Sequence, residues 1–167
     1  MIQEPFYVKI LLSLFRMDNI FFEYVGMNSR MSELYAAVLN VKLKYLDEDN
    51  KKRQELAAYY YENIKNPLIT LPSRIADENN VYHQFPIFCE RRDELQKYLA
   101  DNGIQTLIHY PIPPHHQECY AKERWNMPLQ SLPITEKIHE QELSIPMNQV
   151  VSLRDSRIVV DVINSFV

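Results

Sequence analysis

From Ser32 to Lys65 the chain contains neither glycine nor proline, and apolar residues recur through it at helical spacing. Leu34, Val38, Val41, Tyr45, Leu56, Tyr59 and Tyr60 repeat at intervals of three, four and seven, which one side of an α-helix collects. A stripe of that length has to find apolar cover, so this stretch leads the fold. Asn66-Pro67 ends it, because proline has no N–H to give and disfavours helical dihedrals in the residue before it. Residues Asp47 to Arg53 are polar and read as a solvated stretch in which a break is tolerated. Tyr59-Tyr60-Tyr61 reads as core and groove packing rather than as an aromatic ligand platform.

The approach to this helix is polar: Gly26-Met27-Asn28-Ser29-Arg30-Met31-Ser32. Gly26 can take backbone angles closed to other residues. Asn28, Ser29 and Ser32 are helix-capping types. Helix starts favour anions, and a guanidinium such as Arg30 grips phosphate or carboxylate through two parallel bonds. Taken alone, the stretch is a cap with a solvated arginine.

Downstream the pattern alternates. Ile69 to Leu71 reads as a short strand before Pro72. Val81 to Cys89 reads as a better strand, with Val81, His83, Phe85, Ile87 and Cys89 on one alternating side. Arg91 to Asn102 is helical, with Leu95, Tyr98 and Leu99 inward and Gly103 as its stop. Ile104 to Tyr110 is the next strand, halted by Pro111, Pro113 and Pro114. His115 to Arg124 reads as a short helix, Trp125 to Pro133 as a loop, and Ile134 to Glu142 as a helix. Leu143 to Ile145 is a strand. Ser152 to Phe166 is a last helix with Val159, Val162, Ile163 and Phe166 inward. Such an order predicts an α+β domain: a small sheet covered by helices and led by a long one.

Composition narrows the function classes. The net charge of −4 gives no electrostatic footprint for nucleic acid. Only two glycines occur, which argues against a glycine-rich phosphate loop. The two cysteines, Cys89 and Cys119, do not make a disulfide framework, so a reducing cytoplasm is the expected home. The apolar run Val8 to Phe15 is too short to span a bilayer, and no membrane partner is expected.

Three stretches in order carry a family likeness. They are Gly26-Met27-Asn28-Ser29-Arg30, then Leu107-Ile-His-Tyr-Pro-Ile-Pro-Pro-His-His-Gln-Glu-Cys-Tyr120, then Glu142-Leu-Ser-Ile-Pro-Met147. From about Tyr24 onward the chain resembles the C-terminal part of the DegT/DnrJ/EryC1/StrS family, the pyridoxal-phosphate (PLP) sugar aminotransferases. On this resemblance residues 1–25 are the tail of a large domain or a substitute start. Residues 26–167 are then the small C-terminal domain of a fold-type-I PLP transferase. The family reaction moves an amino group, usually from glutamate, to a keto sugar carried on a nucleotide, for surface polysaccharides, glycolipids or antibiotics.

The resemblance also implies roles. Asn28 would bind the cofactor phosphate across a dimer interface, and Arg30 would sit near the cofactor or the substrate's anionic groups. His109 would lie near cofactor and sugar, with Tyr110 as a weaker substrate-side candidate. The family's Schiff-base lysine and pyridine-nitrogen acid sit on the large domain, and nothing in these residues matches their motif. Lys42, Lys44, Lys51, Lys52 and Lys97 lie on polar helix faces, so no catalytic residue is nominated. The chain alone is expected neither to hold PLP nor to catalyse transfer. The other readings are a non-catalytic remnant or interaction module, and half of a split enzyme whose lysine-bearing domain is encoded separately. A symmetric homodimer is expected.

His115, His116 and Cys119 form a short cluster of ligand-type atoms. A metal would need further ligands at the right geometry. No second cluster supplies them, so no metal is expected, and the family usually has a histidine near His115, which favours a structural or substrate-side role.

Overall fold

The computed structural model describes residues 31–74, 79–120 and 131–167. Its described residues fall into two compact units, one made of Met31–His109 with Glu140–Val167 and the other containing Tyr110–His139.

In the larger unit the long helical stretch is two helices. Helix α1 (Glu33–Lys42) starts at Ser32, whose hydroxyl accepts the Tyr35 N–H. A 3₁₀ turn at Leu43–Tyr45 follows, and α2 runs over Leu46–Asn63. The break falls at Tyr45, which leaves helical dihedrals (φ −109°, ψ 0°), ahead of the polar run rather than inside it. That run instead opens α2. Asp47, Glu48 and Asp49 occupy its first turn, where carboxylates meet the positive end of the helix dipole, and Glu48 pairs with Lys52 one turn on at 2.7 Å.

The apolar stripe divides at the same point. Leu56, Ala57 and Tyr60 on α2 are buried, while α1 buries nothing: Leu34 is 75% exposed and Val38 48%. Helical spacing identifies an apolar side without identifying its cover.

The sheet has two named strands, β1 (Phe85–Phe88) and β2 (Glu142–Ile145), antiparallel with Phe85 opposite Ile145 and Ile87 opposite Leu143. Single bridges widen it on both edges, Thr70 to Phe88 and Leu107 to Ser144. The expected strands Ile69–Leu71 and Ile104–Tyr110 thus shrink to one paired residue each. Chemistry limits both. Pro72 has no N–H with which to continue the first. In the second, the Ile104 N–H turns back to the Leu99 carbonyl, 2.8 Å away, to close the preceding helix.

Side-chain alternation sends Phe85, Ile87, Leu143 and Ile145 into one cluster with the helices. These helices are α2, α3 (Arg92–Asp101) and α5 (Leu153–Ser165). Helix α3 contributes Leu95 and Leu99, and Gly103 follows it at φ +77°, the left-handed position that ends helices. Helix α5 contributes Val159, Val160 and Ile163, with Phe166 just beyond it. Tyr60 meets Phe85 edge-on at 5.2 Å between ring centres, and its hydroxyl donates to the Pro146 carbonyl at 2.8 Å. Burial pushes that phenol well above the usual tyrosine range.

Asn66 fastens the end of α2 to the end of α5. Its buried amide donates to the Ile163 and Phe166 carbonyls at 2.8 and 2.7 Å, and its oxygen accepts the Leu68 N–H. The opposite end of α5 is a capping box between Ser152 and Asp155. Hydrogen bonds from the Ser152 side chain and backbone hold the Asp155 carboxyl below its ordinary range. A depressed folded pKa adds stability that is present above the unfolded value and is lost as pH falls through the folded one. Ser152→Ala should therefore cost about 1 kcal/mol and flatten the acid limb, which urea midpoints across the carboxylate range would reveal.

In the smaller unit, 3₁₀ turns at Pro114–His116 and Glu118–Tyr120 replace the expected helix from His115, whose remaining residues lie outside the described set. Helix α4 spans Pro133–Gln141, its last residues continuing into the larger unit. Among the described residues no helix is long and apolar enough to cross a membrane.

Candidate functional site

His109 is placed by the edge of the sheet. The Leu107 and Ser144 backbones exchange both hydrogen bonds, at 3.1 and 2.8 Å. An antiparallel ladder continued by two residues would set the His109 N–H against the Glu142 carbonyl. The Glu142 side chain takes that N–H instead, its Oε2 accepting at 2.7 Å, and Pro111 follows closely in the chain. Glu142 Oε1 accepts the Ser144 hydroxyl at 2.6 Å, and Ser144 Oγ lies 3.0 Å from His109 Nδ1. Glu142 and Ser144 are two apart on β2 and are 5% and 6% exposed. A buried carboxylate is costly without donors, and here each oxygen has one.

His109 and Ser144 line a cavity of about 660 Å³ within the larger unit. Gln84, Thr106, Asn148 and Asp155 give it polar groups, and Ile104, Val151 and Val159 an apolar wall. His83 lines it too and is exposed. This corrects the alternating reading of Val81–Cys89. Tyr82 takes φ +47° and is buried, so the alternation shifts there and leaves Val81 and His83 outside the core.

Tyr110 belongs to the other unit and is 49% exposed. Its carbonyl accepts from His139 Nδ1. Asn28 and Arg30 lie outside the described residues. Of the residues carried over from the family, the structure thus shows His109 and Tyr110 and does not unite them in one unit.

The cluster around His115 has a different third member from the one expected. Cys119 is buried and in no disulfide, and the group joining His115 and His116 is Glu136, the ligand-type atoms of the three lying within 4.8 Å of one another. Two imidazoles and a carboxylate are a donor set that zinc accepts. Glu136 already has a structural task. Its Oε1 accepts the Leu132 N–H at 2.8 Å, just ahead of α4, and lies 3.1 Å from His115 Nε2. The Leu132 bond, followed by the His115 contact, holds its carboxyl below the ordinary range. The arrangement pins the histidine loop to the start of α4.

Sequence reasoning passed over Glu142, Ser144 and Glu136. A signal existed for the first: a glutamate beginning a short apolar strand has to be buried with partners or to stand at an edge. Anchoring PLP calls for a lysine, and every lysine among the described residues is exposed. None lines the cavity. The described residues do not fit the anchoring of PLP.

The DegT/DnrJ/EryC1/StrS aminotransferase family model matches residues 11–164, reaching ahead of Tyr24. A dTDP-3-amino-3,6-dideoxy-alpha-D-galactopyranose transaminase of Aneurinibacillus thermoaerophilus is 46% identical over 149 residues, covering 89% of this chain and 39% of that protein. The crystal structure of S. venezuelae DesV in complex with a ketimine intermediate superposes with a TM-score of 0.75 at 40% identity, over 85% of this chain and 38% of that one. The structure of NtdA from Bacillus subtilis with the cofactor PMP bound gives 0.69 at 34% identity, over 83% and 33%. This chain therefore spans under two fifths of the length of these proteins.

Proposed function

The chain belongs to the DegT/DnrJ/EryC1/StrS aminotransferase family, and from that premise we propose that it supplies the accessory side of a PLP-dependent site that aminates a nucleotide-linked keto sugar. One observation carries the proposal: most of this chain matches less than two fifths of sugar aminotransferases. When bound, PLP supplies the electron sink for amino transfer. On this reading its lysine anchor comes from a large domain beyond these residues. Asn28 and Arg30 contribute phosphate- and anion-binding groups, and His109 faces cofactor and sugar with Tyr110 nearby. The exposed apolar side of α1 then meets the large domain or a second copy of the chain, in a symmetric dimer working in the cytoplasm.

The test has two arms. The 167-residue chain with added PLP, reduced by borohydride and mapped by peptide, should show scattered labelling only; one stoichiometric lysine adduct would overturn the accessory role. The same chain, fused to or mixed with a lysine-bearing large domain of the family, should transfer an amino group from glutamate to a keto sugar nucleotide. Failure with every large domain tried would favour the second reading, a non-catalytic module, for which the uncovered side of α1 is the supporting observation.

A further inference from the structure

We propose that Glu142 and Ser144 are positioning residues that fix the tautomer of His109, with its proton on Nδ1 and its lone pair on Nε2. The direction of each bond carries the argument. A carboxylate only accepts, and Glu142 accepts at both oxygens, from the His109 N–H and from the Ser144 hydroxyl. Ser144 has one proton, and the 2.6 Å contact to Glu142 uses it. Towards His109 the Ser144 oxygen can therefore only accept, so the proton between them sits on Nδ1, 3.0 Å away. A neutral imidazole with its proton on Nδ1 carries its lone pair on Nε2.

Rigidity follows from where the three groups stand. The glutamate and serine are two residues apart on one strand, both buried. The serine's backbone is bonded to Leu107, two residues before the histidine. The ring is thus held by its own backbone N–H and by Nδ1 together, on the wall of the 660 Å³ cavity. The tautomer stands on these bonds alone, and its consequence for turnover rests on the proposed role of His109.

The experiment is nitrogen-15 NMR of histidine ring atoms in the whole chain, in mildly alkaline buffer where a free imidazole is neutral. His109 should show the Nδ1–H form as its major species. Ser144→Ala should move the tautomer ratio about fivefold towards Nε2–H, the weight of one neutral hydrogen bond, with far-UV dichroism unchanged because the Ser144 backbone pairing persists. Ser144→Thr, which keeps the hydroxyl, should restore the wild-type ratio. A wild-type His109 protonated mainly on Nε2, or a ratio indifferent to Ser144→Ala, would overturn the proposal. In a reconstituted enzyme Ser144→Ala should lower turnover without weakening the binding of inorganic phosphate. Should the tautomer behave as stated while turnover ignores both Ser144→Ala and His109→Ala, the relay stands and the family role of His109 falls.

Discussion

Phe85→Ala should cost roughly 3–5 kcal/mol, the range for emptying a fully buried aromatic site. Phe85 is entirely inaccessible, with Tyr60 and Tyr61 edge-on at 5.2 and 5.0 Å and Tyr82 stacked at 6.2 Å. Three rings lose a partner at once, two of them on α2 and one just ahead of β1, so local collapse cannot refill the space cheaply. A domain with about 5–15 kcal/mol of total stability would lose a large part of it, visible as a lower urea midpoint. Leu34→Ala is the contrast. The sequence pattern makes Leu34 look like a core position whose loss would destabilise the domain. The structure leaves it 75% exposed on α1, and surface truncations stay within about 0.5 kcal/mol. Its effect should appear in association instead: light scattering should show the wild-type chain heavier than a monomer and the variant weakened. A comparable loss of stability in both variants would mean that α1 is covered by its own chain.

What could be read in the sequence, and what could not, follows from the range of the forces involved. Helix α5 was legible because its extent and its inward Val159, Ile163 and Phe166 are set within one short segment, whereas Val160 is buried without having been expected inward and Val162 is only partly buried. The stop at Gly103 was legible for the same reason. The alternation of Phe85, Ile87 and Cys89 held, but one left-handed residue, Tyr82, displaced His83 from it. No local rule announces a tyrosine at positive φ; it is paid for by packing against Tyr61 and Phe85. Pairing at a distance was least visible. The sheet reduces Ile69–Leu71 and Ile104–Tyr110 to single bridges because partners far along the chain set their length. The site shows the same limit. His109 was marked through family likeness, whereas Glu142 and Ser144 acquire meaning only once the Leu107 bridge brings residues 33 and 35 positions apart into contact. Glu136, which displaces Cys119 from the histidine cluster, arrives in the same way, on a helix the sequence does not connect to that loop.

In an enzyme completed with a large domain, Arg30→Ala should weaken substrate or cofactor binding by on the order of ten- to a hundredfold. That is the worth of a charge-assisted hydrogen bond, about 1.5–3 kcal/mol. The loss should appear in KM or cofactor retention, because a grip on an anion acts on ground state and transition state alike. His109→Ala should behave differently. Its ring is held by a serine, and its backbone N–H by a carboxylate, on a cavity wall; in the role proposed for it the ring would orient the substrate, and orientation is expressed in turnover. Replacing it should lower kcat more than it raises KM and should leave the urea midpoint nearly unchanged, since the ring is only partly buried and the Glu142 bond to its backbone N–H survives the substitution. Parallel kinetics, isotherms for PLP and urea melts on the same preparations separate the two effects. Full activity in both variants would sink the transfer of family roles to these positions. A drop in His109→Ala that is matched by a collapsed urea midpoint would show instead that the imidazole is a structural tie between β2 and the 107–109 edge.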